Sequence, residues 1–378
     1  MKKKLRNILV LSLGLMTTIA SAQDWNVDSR TRANMHGEDG MMLTEQRATV
    51  GATWGGTDWG IHVSSDVNYA LGQWDAGNTA PGVLTAKVYE AYASTDLMGY
   101  ASLTVGRQAL DYGSGAIMGS NQFAGIGAQR NTQDGMLFGL NLDMADVTVG
   151  YANVNYGLGD SLETKGTNMF INLNKAEGDW SANLLYATGT SAVGGVENDD
   201  ATAMGLDLAY AMMDGALGLN VSYNTNSGEK DVVDGTTLLK EDMMSLGATY
   251  QVNESMSITA NQTTYGENGF DLTNTNMSGN FLTHGNMGYL RADDKDMNVG
   301  VSYAMGDFTL GATMHQITND GEDVLGSTTN ADYERNVTNL SLAYTMTDNA
   351  NLSLQYASDE LGDADADKYM WVTLNIRP

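Results

Sequence analysis

Short and long polar breaks take strict turns along this chain. The short ones are tight: Gly55-Gly56-Thr57, Asp96-Leu97-Met98-Gly99, Met144-Ala145-Asp146, Ala176-Glu177-Gly178-Asp179, Met213-Asp214-Gly215, Asn253-Glu254, Met305-Gly306-Asp307 and Thr347-Asp348-Asn349. Between them lie longer polar stretches over residues 36–42, 73–83, 113–132, 157–166, 191–200, 226–236, 267–293, 319–331 and 359–367. The segments that separate the breaks alternate in polarity. Ala48, Val50, Ala52 and Trp54 oppose Glu45, Arg47, Thr49 and Thr53, while Trp59, Ile61, Val63, Val67 and Tyr69 oppose His62, Ser64, Asp66 and Asn68. A period of two is the period of a β-strand. A soluble sandwich alternates in the same way, but nothing in a sandwich sorts its links by length. Tight turns at one end and long loops at the other are the sidedness of a membrane barrel.

The expected fold is therefore all-β. It is a transmembrane antiparallel β-barrel of about 18 strands, with 16 the alternative count, short periplasmic turns and long extracellular loops. The final segment supports closure: in "KYMWVTLNIRP" Met370, Val372, Leu374 and Ile376 alternate with Trp371, Thr373 and Asn375. It can pair with the first strand and remove both sheet edges. No later stretch is apolar for the roughly 18 residues a membrane helix needs. The chain opens MKKKLRNILVLSLGLMTTIASAQ, a basic n-region, an apolar h-region from Ile8 to Ile19 and an A-x-A site at Ala20–Ala22. Residues 1–22 read as a cleaved export signal and residues 23–378 as one barrel domain.

Removing the signal takes away Lys2, Lys3, Lys4 and Arg6, which leaves 15 of 19 basic residues against 46 acidic ones, a net charge near −31. A field of that sign excludes nucleic acid as a partner. Cysteine is absent, so the exported chain does not rely on disulfides. Two prolines against 44 glycines suit long hydrogen-bonded strands and tight turns.

Aromatic residues fall in two belts. Trp25, Trp54, Trp59, Tyr100 and Trp180 lie at strand ends beside short turns; Tyr69, Tyr112, Tyr156, Tyr186, Tyr223, Tyr265 and Tyr356 lie toward the long loops. Amphipathic rings suit the two headgroup levels of a bilayer. A barrel of this size holds an aqueous channel unless something plugs it, and the chain carries no spare plug domain. Any constriction must come from loops folded inward. Residues 113–132 carry Ile117, Met118, Phe123 and Ile126, and residues 267–293 carry Phe270, Phe281, Leu282 and Tyr289. A fully solvated loop has no need of such side chains.

The segment "VGRQALDYGSGAIMGSNQFAGIGAQRNTQDGMLFGL" resembles alginate-export-type outer-membrane porins, in which a strand bearing G-R-Q precedes an inward loop. The matching positions are Gly106, Arg107, Gln108, Tyr112, Gly113, Arg130 and Asp134. The resemblance covers about 35 residues. It implies lumenal arginines that select the permeating solute. With 15 basic residues remaining, alginate itself is not the expected solute.

The expected function is a porin: a water-filled channel for passive diffusion of small hydrophilic solutes in the outer membrane of a Gram-negative bacterium. Arg30, Arg32, Arg47, Asp66, Glu90, Arg107, Arg130 and Asp134 are the candidate pore-lining and selectivity residues, and Arg107→Ala is expected to shift the reversal potential toward cations. Lys87 and Glu90 have opposite parity, so both face inward only across a bulge. Arg107 shares a parity with Leu103 and Val105, so a lumenal Arg107 needs a bulge near Gly106. The alternative is a structural or adhesion barrel with a closed lumen. The expected partners are outer-membrane lipids and small solutes, with a homotrimer as the candidate assembly; no cofactor and no metal are called for. Asp363, Asp365 and Asp367 have the opening spacing of a calcium loop, but Lys368 and Leu374 stand where such a loop needs glycine and glutamate. That stretch reads as a solvated charged loop, as does "VENDDAT". His36, His62, His284 and His315 form no H-x-x-x-H pair, and no G-x-S-x-G occurs, so enzyme chemistry is not expected.

Overall fold

The computed structural model describes residues 24–35, 43–71, 85–120, 130–156, 164–193, 196–228, 239–270, 290–319 and 333–377. The export signal, Phe123, Ile126, Phe281, Leu282, Tyr289 and the side chain of Tyr156 lie outside the described residues. The first strands are β1 (Asp24–Asn34), β2 (Leu43–Gly55), β3 (Trp59–Leu71), β4 (Thr85–Leu97), β5 (Ala101–Gln108) and β6 (Gln133–Leu142). There follow β7 (Ala145–Tyr156), β8 (Thr164–Glu177), β9 (Trp180–Val193), β10 (Val196–Met212), β11 (Leu217–Gly228) and β12 (Leu239–Asn253). The last are β13 (Met256–Tyr265), β14 (Asp294–Met305), β15 (Phe308–Asn319), β16 (Tyr333–Thr347), β17 (Ala350–Leu361) and β18 (Asp367–Ile376).

Each strand pairs antiparallel with the one before and the one after it, and β1 pairs with β18. That seam runs from Ser29 opposite Ile376 to Asn34 opposite Trp371. The sheet is a closed meander of 18 strands. All eight short links fall where the sequence places them. One long break does not: β9 continues to Val193 and β10 starts at Val196, so 191–200 is mostly a hairpin. Val193 and Val196 sit opposite each other at its tip, and β-branched residues favour continued extension there. "VENDDAT" thus belongs to a strand, irregular between Asn198 and Ala201.

The two phases of every strand now have different solvents. Leu206 and Leu208 on β10, Met244 and Leu246 on β12, and Val299 and Val301 on β14 stand exposed on the outer face. The alternate positions, such as Ser222 and Asn224 on β11 or Asp294 and Asp296 on β14, are buried toward the axis. An apolar surface that encircles a whole barrel has no place in water and suits hydrocarbon. Trp25, Trp59, Tyr100 and Trp180 are exposed at the short-turn end, and Tyr210, Tyr250, Tyr303 and the stacked pair Phe308–Tyr344 complete that belt. Two tyrosines assigned to the other belt turn inward instead. Tyr265 is buried against Phe270, and Tyr112 packs against Phe170 inside the barrel. Both meet apolar loop side chains that outcompete the headgroup level for their rings.

Eighteen strands about 4.8 Å apart and tilted about 40° enclose a cylinder roughly 35 Å across. Wall side chains alone cannot close that width. The phase difference makes a testable contrast at mid-strand. Leu246→Arg, on the outer face, should lower folding stability in lipid by about 2–4 kcal/mol. Ser245→Arg, one residue away on the lumen face, should leave urea-unfolding midpoints nearly unchanged and alter conductance instead.

Candidate functional site

The inward loop between β5 and β6 builds the site. Residues 109–120 leave β5 and cross the lumen: the Ser114 backbone N–H donates to Asp207 Oδ2 on β10 (3.0 Å), and Ser222 on β11 donates to the Ser114 hydroxyl (3.1 Å). Gly113 makes the approach possible. It sits at φ 57°, and a Cβ there would strike the Asp207 carboxylate and come 2.9 Å from Asn183 Oδ1. The loop closes on itself where Asp111 accepts from the Ser120 backbone N–H (2.7 Å). Its apolar residues have partners in the lumen. Leu110 and Met118 pack with Phe170 and Leu185, and Ala116 packs with Met243, Tyr265 and Phe270. Ile117 touches both clusters. Each such side chain contributes roughly 1.5–3 kcal/mol on burial, which explains why the loop folds in. Leu290, from the end of the 267–293 loop, joins the Phe270 cluster to a third one of Ile317, Val337, Ala357 and Trp371.

The other end of the loop is held by charge. Arg130 Nε donates to Asp66 Oδ2 on β3 (2.8 Å), its Nη2 contacts Asp66 Oδ1 and donates to Thr49 (3.1 Å), and its guanidinium lies 3.3 Å from the Tyr89 ring centre. Both members are nearly buried, at 7% and 10% side-chain exposure. Around this anchor the wall of β1–β4 is charged. Arg30 stands directly opposite Arg47, Arg32 opposite Glu45 and Asp28 opposite Thr49. A bulge on β4 places Lys87 opposite Asp66 and Glu90 opposite Ser64, so both face the lumen, as the sequence required of any such bulge. Arg30, Arg47 and Arg377 share a cavity of about 330 Å³ with Asp28. Arg130, Glu90 and Asp111 line a second of about 330 Å³.

Arg107 and Asp134 are a correction. They form a bidentate pair (Nε–Oδ1 2.7 Å, Nη2–Oδ2 2.6 Å) on the outside of the barrel. Arg107 is opposite Ala91 on β4, which in turn is opposite the outward Val63; Asp134 shares the outer row of Met136 and Phe138. The ladder passes Gly106 without a register shift, so no bulge turns Arg107 inward. Gly106, at φ 133°, instead lets β4 come close: a Cβ there would strike the Ala91 carbonyl and sit 2.7 Å from Tyr92 Cα. Of the eight candidate residues, Arg30, Arg32, Arg47, Asp66, Glu90 and Arg130 face the lumen.

The opposite wall, β8 to β16, was not singled out from sequence. It bounds a cavity of about 770 Å³ beneath the loop, lined mostly by Asn, Ser and Thr. The titratable side chains there are Asp207 and His315, and His315 Nδ1 bonds the buried Asp296 (2.9 Å). The signal was present as i, i+2 runs such as Asn220-Ser222-Asn224 and Thr259-Asn261-Thr263 on the polar phase. Asp363, Asp365 and Asp367 are exposed at the β17–β18 hairpin, and among the described residues no group of acidic and histidine side chains is arranged to hold a metal. Arg335 and Asp359 form a half-buried pair (2.6 Å) that sequence reading also missed.

Removing the Asp66 carboxylate leaves a buried guanidinium uncompensated. Asp66→Ala should cost about 3–5 kcal/mol and raise open-channel noise as the loop end loosens. Gly113→Ala should undock the loop and raise single-channel conductance. Arg107→Ala should leave the reversal potential where it is, since the side chain faces away from the path.

No family model matches the chain, and no curated protein sequence matches it. Its shape is shared by solved structures of low identity. Pseudomonas aeruginosa OccK8 (OprE) superposes with a TM-score of 0.65 at 13% identity, over 94% of this chain and 98% of that one. The outer membrane protein OprD from Pseudomonas aeruginosa gives 0.62 at 14%, over 95% and 96%. Pseudomonas aeruginosa OpdK, solved with vanillate, gives 0.67 at 10%, over 94% and 99%. These likenesses run to Occ and OprD barrels and lend nothing to the alginate-export-type resemblance. At such identities they establish one thing: the chain has the closed 18-stranded fold of those barrels.

Proposed function

We propose that the chain is an exported outer-membrane porin of a Gram-negative bacterium, passing small hydrophilic solutes down their gradient and favouring anionic ones, with no covalent chemistry. The carrying observation is Arg30 directly opposite Arg47 on the lumen wall. Like charges across an antiparallel pair destabilise the sheet; Asp28 shares their cavity, and an entering anion meets two guanidiniums at one point of the wall. The apolar outer belt, the aromatic girdles, the signal-like first 22 residues and the shape shared with an outer membrane protein support the location. The open cavities on both sides of the loop favour a conducting lumen over the closed adhesion barrel. The resemblance of one segment to alginate-export-type porins implied a lumenal Arg107, which instead pairs with Asp134 on the outer face, and the porin reading does not depend on it.

Planar-bilayer recording of the purified barrel tests this. Single-channel steps and a reversal potential displaced toward chloride in a potassium chloride gradient are expected. Arg30→Ala with Arg47→Ala should lower the anion-to-cation permeability ratio on the order of tenfold, since each charge contributes on the order of 1 kcal/mol to an anion in a wet, salt-screened lumen. A pure protein without conductance steps would sink the reading.

A further inference from the structure

The cavity wall opposite the arginines has an order of its own. Reading across the sheet, Asn220 on β11 faces Gly247 on β12, which faces Asn261 on β13, which faces Asn298 on β14. These positions form one level row that lines the 770 Å³ cavity except at its glycine. Gly247 is the reason three amides can share it: a Cβ there would strike the side-chain oxygens of both Asn220 and Asn261. Above the row run Ser222, Ser245 and Thr263, register partners in turn. Below it, Thr313 on β15 faces Asn339 on β16. The result is a wall of amides and hydroxyls four strands wide, from β11 to β14, with neighbours about 4.8 Å apart.

Such a wall is more than wetting. Each asparagine side chain has two donor and two acceptor sites. Among the described residues, Asn261 Nδ2 donates to Asn298 Oδ1 (3.0 Å), Asn298 Nδ2 donates to the buried Asp296 (3.2 Å) and Ser245 bonds Thr263 (3.1 Å), which leaves Asn220 and part of the Asn261 and Asn298 capacity to the cavity. Asn339 is 9% exposed, lines the cavity, and its Oδ1 accepts no hydrogen bond. Asp207 Oδ1, at the other edge, accepts none either, since the loop is bound through Oδ2. The amides and hydroxyls that line the cavity match a solute that brings several hydroxyl groups. Aromatic side chains are absent among the cavity's described lining residues, so stacking is not how a ring would be held.

We propose that this wall is a carbohydrate subsite, and that the preferred solute is a sugar acid: a carboxylate drawn by the arginine wall, carrying a polyol body that exchanges its water for the amide row. The inference rests on the porin reading above and adds the class of solute. A carboxylate of the same size without hydroxyls would strip water from the row and return nothing, and sites built to hydrogen-bond discriminate strongly against such analogues.

Reconstituted barrel in proteoliposomes tests it, with sodium glucuronate and sodium cyclohexanecarboxylate as probes and radiolabel uptake as readout. Glucuronate should enter on the order of tenfold faster. Asn261→Val with Asn298→Val should erase that preference while the chloride-over-potassium reversal potential stays as in the native barrel; Asn261→Ser with Asn298→Ser should keep part of it. Conductance steps of native size confirm that each variant is folded. Equal uptake of the two probes by a native, anion-selective barrel overturns the sugar-acid inference and leaves the porin reading standing. A native barrel that conducts without anion preference overturns the arginine role first. A preference that survives both valine substitutions assigns the discrimination elsewhere and also overturns the amide row.

Discussion

Everything in this molecule depends on the closed hydrogen-bond ladder. In hydrocarbon an unpaired backbone amide costs several kcal/mol, so a sheet can cross only if it has no edge. The pairing of β1 with β18 removes the edge. Once it is made, the outer phase of every strand belongs to lipid, and function is confined to the inner phase and to whatever the loops carry inside. The chain's scarcity of proline serves the same end, because each ladder position needs its N–H.

Within the cylinder the inward loop divides the space. It is tied at one side through Ser114 to Asp207 and at the other through Arg130 to Asp66, and Ile117 fills the apolar ground between. The two ties are different in kind. A backbone donor on a carboxylate fixes where the loop touches β10; a buried guanidinium held by Asp66, Thr49 and Tyr89 fixes where it returns to β6. Between them the constriction is set by packing rather than by flexible charge. The cavities left over have unlike walls, one charged with arginines and one lined mostly by amides and hydroxyls.

Fold and strand phase were legible because period two and link length are local properties. The eight tight turns and the inner phases of β2 and β3 follow from them directly. Three things were not local. The bulge on β4 depends on how β3 sits against it, and nothing in "KVYE" announces it. The inward turn of Tyr112 and Tyr265 depends on loop side chains distant in sequence. The amide wall was written in plain alternation, but uncharged polar residues attract less notice than arginines, and its meaning appears once four strands are laid side by side in register.

Arg107 shows how parity can be right while its interpretation is wrong. Period two places it on the outer face with Leu103 and Val105, and a lone arginine at mid-depth there costs about 2–4 kcal/mol. A bulge that brings it inside is one remedy; a partner outside is another, and the chain uses the second. Asp134 stands directly opposite on β6, near the loop end of both strands, where a long side chain can reach the headgroups. The position has a mechanical sense. β5 is the shortest described strand, at 8 residues, and β6 has 10, yet together they carry the loop that crosses the lumen. Arg107 with Asp134 joins the two strands from the lipid side just below that loop, while Arg130 with Asp66 holds its return from within. A short hairpin bearing a long inward loop is thus clamped on both faces of the wall, and the arginine that looked like a selectivity residue is the outer half of the clamp.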